Sequence, residues 1–336
     1  METISILLEG LLMRILMFGR GVIATIYGQA LHDAGHDVEF YVRPGRAAEY
    51  GVEVQTDVID ARRKARDRRV RRAFPIRLRE TIEPGDGFDL VVLSVAHHRL
   101  AEAAAFLAPR VGQATVLVFG NVWHEPLAAV APLPAAQVVF GFPMAGGGFA
   151  EDGVLHGALF RSVIVGRAAM SASRREQAVQ TLFRQAGFTV REEPDMRGRL
   201  FIHFVSDAGM FAQGAHSGAL AGMVGDRRAF RGALLTSREL LPLLRARGVD
   251  LRLHRPSLMP YRLPTLTAAA MAWATARSPI ARVSLAAHTD PYAAEPRAIL
   301  HDALLEAQRI SLAAPRLAAA VRTLEEGGTS THSHRS

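Results

Sequence analysis

Apolar residues along this chain fall into two rhythms. In the first half they form short solid runs, each closed by a turn: RILMFG at 14–19, DLVVLSVA at 89–96 and ATVLVFG at 114–120. A run apolar at every position suits a strand buried on both faces of a parallel sheet. HDVEFYVR (36–43), QVVFGFPM (137–144) and LFRSVIVG (159–166) read as further strands. Residues 22–34 carry helical spacing and stop at Gly35, and residues 172–186 do the same and stop at Gly187. Glycine ends a helix well because it accepts the left-handed turn without a Cβ clash. Strands alternating with helical or irregular segments predict an α/β sheet with right-handed crossovers.

The rhythm changes near residue 192. From there the pattern predicts helices at about 197–222, 227–247, 264–276, 296–312 and 314–325, with little strand propensity. The expected fold class is therefore α/β, a Rossmann-type parallel sheet at 13–192 followed by a mostly helical domain at 193–325. Residues 1–12 read as an N-terminal extension, because Met13 directly precedes the first strand. The tail at 326–336 is polar and rich in Gly, Ser and Thr, and is expected to be disordered. His332 and His334 in it make no metal site.

Candidate chemistry begins at the first turn. G19-R-G21-V-I-A24 follows a strand and opens a helix. Gly19 suits a tight turn, Gly21 lets backbone approach a pyrophosphate, and Ala24 permits close helix–strand contact. The helix start then offers amide donors to phosphate. This makes Gly19, Arg20, Gly21, Val22 and Ile23 candidate dinucleotide contacts. The second strand ends Tyr41-Val42-Arg43-Pro44-Gly45-Arg46. An NAD site normally has an acid there for the ribose 2′-hydroxyl. Glu39 lies too early in the strand, whereas the Arg43 guanidinium matches a 2′-phosphate. The cofactor expected is NADP, with Arg46 either assisting or lying in a solvated turn. Ligands in such sheets sit beyond the carboxyl ends of the strands. That places Ser94, Ala96, His97 and His98 after one strand, and Gly120 and Asn121 after the next, on the nicotinamide side. Asn121 suits the nicotinamide ribose or a substrate oxygen. His97 and His98 face either ligand or solvent.

Composition then narrows the chemistry. There are 336 residues, no cysteine, and forty Lys plus Arg of which only Lys64 is lysine. A disulfide framework, a thiolate metal site and a cysteine nucleophile are excluded. So is a catalytic lysine anywhere but position 64. The formal charge is +8, and residues 61–80 alone hold ten basic and two acidic residues, a difference of +8. One short basic segment predicts a solvated surface helix or loop, or at most an attractor for an anionic cofactor. It does not predict a nucleic-acid surface. No run of 18 uncharged apolar residues predicts a membrane span, and the N-terminus reads as a poor signal peptide. The expected location is cytoplasmic. No metal site is expected either, since H288-T-D290 reads as a loop or cap.

These segments together resemble the ketopantoate reductase (2-dehydropantoate 2-reductase) family. The resemblance runs through RILMFGRGVIATIYGQALHDAGHDVEFYVRPGR, FDLVVLSVAHH, VLVFGNVW and VVFGFPMAGGGFAEDGVLHG. It covers about residues 13–190 and the helical half only loosely. It implies a Rossmann domain, a helical second domain, and NADPH-dependent reduction of 2-oxo acids. The family's glycines fall on Gly19 and Gly21, its 2′-phosphate arginine on Arg43, and its turn asparagine on Asn121. Departures follow. Ala96 stands where the family has a lysine after the fourth strand. The family's catalytic lysine, followed by asparagines four and eight residues later, falls on His203, Asp207 and Phe211 in FIHFVSDAGMF. Its late glutamate corresponds to Glu295.

Reduction of a ketone needs a proton for the forming alkoxide, and a histidine can supply it. His203 and Asp207 are spaced i, i+4, on one helical face, so Asp207 can orient His203. The competing reading is an ordinary surface or interdomain pair. Asp207 would repel a 2-oxo acid's carboxylate, which speaks against ketopantoate. Arg197, Arg199, Arg277 and Arg282 are candidates to offset it. The expected function is an NADP(H)-dependent oxidoreductase acting on the carbonyl or hydroxyl of another small molecule. The alternative is an NADP(H)-binding sensor or scaffold without catalysis. A homodimer through the Ala-rich helices at 264–276 and 313–320 fits the pattern.

Overall fold

The computed structural model describes residues 12–166, 173–286 and 294–332. The solid apolar runs form the expected strands. β1 (Arg14–Phe18) enters α1 (Val22–Asp33), then β2 (Asp37–Tyr41) and the short α2 (Ala47–Tyr50). β3 (Glu53–Asp60), β4 (Arg69–Pro75) and β5 (Leu78–Arg79) lead to β6 (Leu90–Leu93) and α3 (Leu100–Leu107). β7 (Thr115–Phe119), α4 (Pro126–Ala129), β8 (Val138–Phe142), β9 (Ala145–Phe149), β10 (Leu155–Leu159) and β11 (Ser162–Gly166) follow. α5 (Arg174–Gln185) and β12 (Thr189–Glu193) complete the sheet domain.

Eight strands make the main sheet, in the order β12-β11-β8-β7-β6-β1-β2-β5. All neighbours run parallel except β11 against β8. The strand order reverses at β1, between β2 and β6. A crevice opens there beyond the strand ends, where doubly wound sheets bind ligands.

A second sheet, β4-β3-β10-β9, was not expected from sequence. It clasps α1 against the main sheet, which explains why α1 is buried on every side from Ala24 to Leu31. Glycine permits both contacts. A Cβ on Gly28 would lie 2.5 Å from the Phe40 ring of β2, and one on Gly157 would lie 2.7 Å from Ile26 of α1.

The basic segment is thus corrected. Residues 61–80 form no α-helix; a single 3-10 turn at Ala65–Asp67 leads from β3 into β4 and β5. Most of its arginines face acids from elsewhere in the domain. Arg62 and Arg63 meet Asp60 at 2.8 and 3.5 Å, Arg69 and Arg71 meet Asp57 at 2.7 and 3.0 Å, and Arg72 meets Asp33 at 2.6 Å. Arg77 pairs with Asp37, and Arg79 with Glu39 and Asp86. Hydrogen bonds from Arg69 hold the Asp57 carboxyl below its ordinary value, against a partial opposition from burial. The charge excess seen in the sequence is therefore largely matched in space. Alternation of apolar and arginine residues in RVRRAFP is the strand signal that the charge concealed.

After β12 the described chain is helical: α6 (Met196–Ser217), α7 (Arg227–Glu239), α8 (Leu241–Ala246), α9 (Arg255–Arg262), α10 (Pro264–Arg277), α11 (Pro279–Ala286), α12 (Ala294–Arg309) and α13 (Pro315–His332). The expected helix at 227–247 is two helices, joined at Leu240 ahead of Pro242. α13 runs to His332, into the segment expected as tail. α6 is the central helix. Asp195 caps it by accepting from the Gly198 amide at 2.9 Å. Phe201, Phe204, Val205, Ala208 and Ala212 bury its core face. The loop after β7 docks on it, with Trp123 stacked on Phe204 at 4.5 Å and Arg247 lying 4.4 Å over Trp123. No helix among the described residues is long and apolar enough to cross a membrane.

Candidate active site

Two neighbouring cavities share Val95 in their walls and are treated together as the two ends of a cleft. The first, about 640 Å³, lies over the ends of β1 and β2 and is lined by Gly19, Arg20, Gly21, Arg43 and Arg46. Gly19 has φ +99°, a value that strains any side chain but glycine's. A Cβ on Gly21 would meet nothing within 4 Å, so it would fill open cleft. No side chain caps the start of α1, and its first turn holds no acid. The positive end of the helix therefore faces the cavity without an internal partner. These features fit a dinucleotide pyrophosphate.

Arginine surrounds the same end. Arg43 is exposed at the tip of β2. Arg46 is braced by Tyr50 at 3.1 Å and Glu49 at 2.9 Å. Arg20 lies between Tyr50 (4.6 Å) and Phe149 (5.0 Å), with its Nε buried and unbonded. Burial lowers its pKa, and Tyr50 opposes that in part. Tyr50, Phe149, Arg99 and Glu102 also line this end and were missed in the sequence. Phe149 follows three glycines and lies outside the strands predicted at 137–144 and 159–166, so nothing marked it. Val22 lines neither cavity and packs toward Gly147 of the second sheet. Ile23 lines the other cavity.

The second cavity, about 340 Å³, lies between the sheet ends and α6, α11 and α12. The spacing of His203, Asp207, Met210 and Phe211 turns one face of α6 into it. Asp207 is the hub. Its Oδ1 lies 3.2 Å from His203 Nε2, and its Oδ2 accepts from Asn121 Nδ2 at 2.8 Å. Glu295, at the start of α12, hydrogen-bonds Asn121 as well. Burial and the nearby Asp207 raise the Glu295 pKa, while His97, Asn121 and His203 oppose the rise. Phe142 packs against the His203 ring at 4.1 Å between centroids, the two rings tilted by 59°. Ser94 Oγ and Asn121 Oδ1 are buried with no bonding partner among the described residues. The fold thus gathers Ser94, Asn121, His203, Asp207 and Glu295 from four separate elements. Ser284 of α11, unmarked in the sequence, lines the same cavity.

Other expected residues go elsewhere. His97 is buried, with Nε2 2.9 Å from Asp302 of α12 and its ring edge-on to Phe204. It lines neither cavity and ties the loop after β6 to the helical domain. Arg197 binds Glu125 in a bidentate pair at 2.7 and 2.6 Å, and Arg199 reaches Ser257. Arg277 lies over Trp273, and Arg282 bonds carbonyls of α10. None of these four lines the cleft. His288 and Asp290 lie outside the described residues. Among the described residues no group of three or more His, Asp or Glu is placed to hold a metal ion.

Residues 15–169 match the family model of ketopantoate reductase PanE/ApbA. That match spans a little under half of the chain and marks its first half as similar to the ketopantoate reductase family. The whole fold is shared more widely. A 2-dehydropantoate 2-reductase from Geobacter metallireducens GS-15 is 18% identical, with TM-score 0.64, covering 94% of this chain and 99% of its own. A PanE/ApbA family ketopantoate reductase from Ralstonia eutropha JMP134 is 17% identical, with TM-score 0.64 and coverage of 94% and 99%. A D-mandelate dehydrogenase in ternary complex with NADH and anilino(oxo)acetate is 14% identical, with TM-score 0.68 and coverage of 95% and 99%. No curated protein matches the chain in sequence. The architecture is that of NAD(P)-binding Rossmann enzymes, and the family match reaches the glycine turn, Arg43, Ser94 and Asn121 but not α6.

Proposed function

We propose that the chain is an NADP(H)-dependent oxidoreductase of the ketopantoate reductase type, reducing a carbonyl, or oxidising a hydroxyl, of a small molecule other than ketopantoate. The observation that carries this is one cleft with a glycine turn and arginines at one end and a His–Asp–Asn–Glu cluster at the other. Gly19, Gly21 and the start of α1 would hold the pyrophosphate, and Arg43, aided by Arg46, the 2′-phosphate. The reduced nicotinamide would supply the hydride equivalent to the carbonyl carbon. His203 then protonates the oxygen. With Nε2 held by Asp207, Nδ1 is the nitrogen left to face the substrate. Asn121 keeps both carboxyl groups in place. Glu295, biased toward its protonated form, can donate a hydrogen bond to the substrate oxygen.

Titration of the purified protein with NADPH and NADH, followed by nicotinamide fluorescence, tests the cofactor reading. The D-mandelate dehydrogenase is described with NADH, so NADH is the competitor that matters. NADPH should bind more tightly; equal affinity, or no binding of either, ends the Arg43 assignment. Turnover of a panel of ketones, aldehydes and alcohols separates an enzyme from a sensor.

A further inference from the structure

Among the described residues, the substrate end of the cleft holds acid but no arginine or lysine, and His203, Asp207 and Glu295 are the titratable side chains along it. The four arginines that might have reached it are committed elsewhere, and Lys64 sits at the turn between β3 and β4. Any charge on His203 already has a counter-charge, because Asp207 lies 3.2 Å away.

A carboxylate brought into this space would lose its water and meet Asp207 with no cation to answer it. Burying an uncompensated charge costs several kcal/mol. The rest of the wall suits an apolar body: Phe119, Phe142, Met210, Phe211, Leu220 and Leu285 line it. The polar groups gather around one spot, as they would around a single oxygen. Ser94 Oγ and Asn121 Oδ1 have no partner among the described residues, and Glu295, bonded to Asn121, is biased toward the form that donates a hydrogen bond.

We propose that this cleft takes an uncharged carbonyl compound with an apolar body, or the corresponding alcohol, and rejects 2-oxo acids. The proposal rests on the oxidoreductase reading above. In the reduction, a hydride equivalent from the reduced nicotinamide dinucleotide bonds to the carbonyl carbon. The C=O π pair moves to oxygen, and that oxygen takes the proton from His203 Nδ1. The product is an uncharged alcohol, and the oxidised dinucleotide leaves.

The test uses matched pairs, each a 2-oxo acid and its methyl ester, with phenylglyoxylate and methyl phenylglyoxylate as the first pair. Two readouts are taken: NADPH oxidation, and calorimetric binding of each compound to the NADP-loaded protein. The ester should exceed the acid by at least about 100-fold in kcat/KM and in affinity, the scale of an unpaired buried charge. Acids equal to or better than their esters would overturn the substrate class and leave the oxidoreductase reading intact. Tight NADPH binding with neither member of any pair bound or reduced would overturn both. A second measurement asks the same question from the protein side. Ala96 lines the cleft beside Ser94. Ala96→Arg should raise the acid's affinity relative to the ester by at least about tenfold, with Ala96→Gln as the control for bulk. An unchanged acid-to-ester ratio in Ala96→Arg counts against the charge argument.

Discussion

The two ends of the cleft are built from different materials. At the nucleotide end the fit is mostly backbone: a φ of +99° at Gly19, open space where a Gly21 Cβ would point, and an uncapped helix start. At the substrate end it is side chain: His203, Asp207, Asn121 and Glu295 in one bonded group. Backbone recognition constrains only a few glycines and a short strand–turn–helix. Side-chain recognition is rewritten whenever the ligand changes. This explains why the family match stops at residue 169 while the fold continues to the end of α13.

The contrast can be broken most sharply at His203. If the α6 face is catalytic, His203→Ala should lower turnover by at least about 100-fold, the lower range for a positioned general acid. NADPH affinity should hardly change, since His203 does not line the nucleotide cavity. A near-wild-type rate would leave the Asp207 cluster a structural joint and remove side-chain chemistry from that end. Arg43→Ala is next. It should weaken NADPH by about 10- to 100-fold, the worth of a lost charge-assisted bond, and leave NADH nearly unaffected. Equal losses for both would mean that Arg43 reads something other than the 2′-phosphate.

Gly21→Asp probes the backbone end by another route. Aspartate is a good N-cap, so the fold should be kept or slightly stabilised. Its carboxylate would occupy the space meant for phosphate, and both dinucleotides should weaken by at least about tenfold. Thermal melting and fluorescence titration separate the two effects. Unaltered binding of both would show that the pyrophosphate lies away from the start of α1.

These cases also show where sequence reading reaches and where it stops. The Rossmann half was legible because its signals are local. A strand, two glycines, a helix and an arginine lie within residues 14–43. His203 and Asp207 were legible as a pair because helical spacing sets their geometry, and the structure adds Asn121 as a shared partner across 86 residues. The second sheet was not legible. Strand β9 is AGGGF, three glycines with no strand propensity, and it forms because α1 and β10 need a thin partner. Strand β4 was hidden under arginines whose acids lie on β3 and α1. Pairing at that distance in sequence cannot be read from charge counts. Ser284 and Phe149 reached the cleft through long-range packing for the same reason.

The smallest expected effect concerns Glu295, and it distinguishes a buried proton store from an ordinary surface carboxylate. Its pKa is raised above the usual 4.5 by burial and by Asp207. A carboxyl raised in the folded state binds its proton more tightly folded than unfolded. The stability it contributes is full below the unfolded value, and is lost as pH rises through the folded one. The wild-type protein should therefore lose melting temperature relative to Glu295→Gln over the window that starts near 4.5 and ends at the raised value. Above that window the difference between the two should be flat. Melting curves of both proteins from pH 4 to pH 8 check this. A difference that does not change with pH would show Glu295 ionising as freely as a solvated acid. The substrate end would then lose its hydrogen-bond donor and keep only His203, and a second negative charge beside Asp207 would make the cleft still less hospitable to an anion.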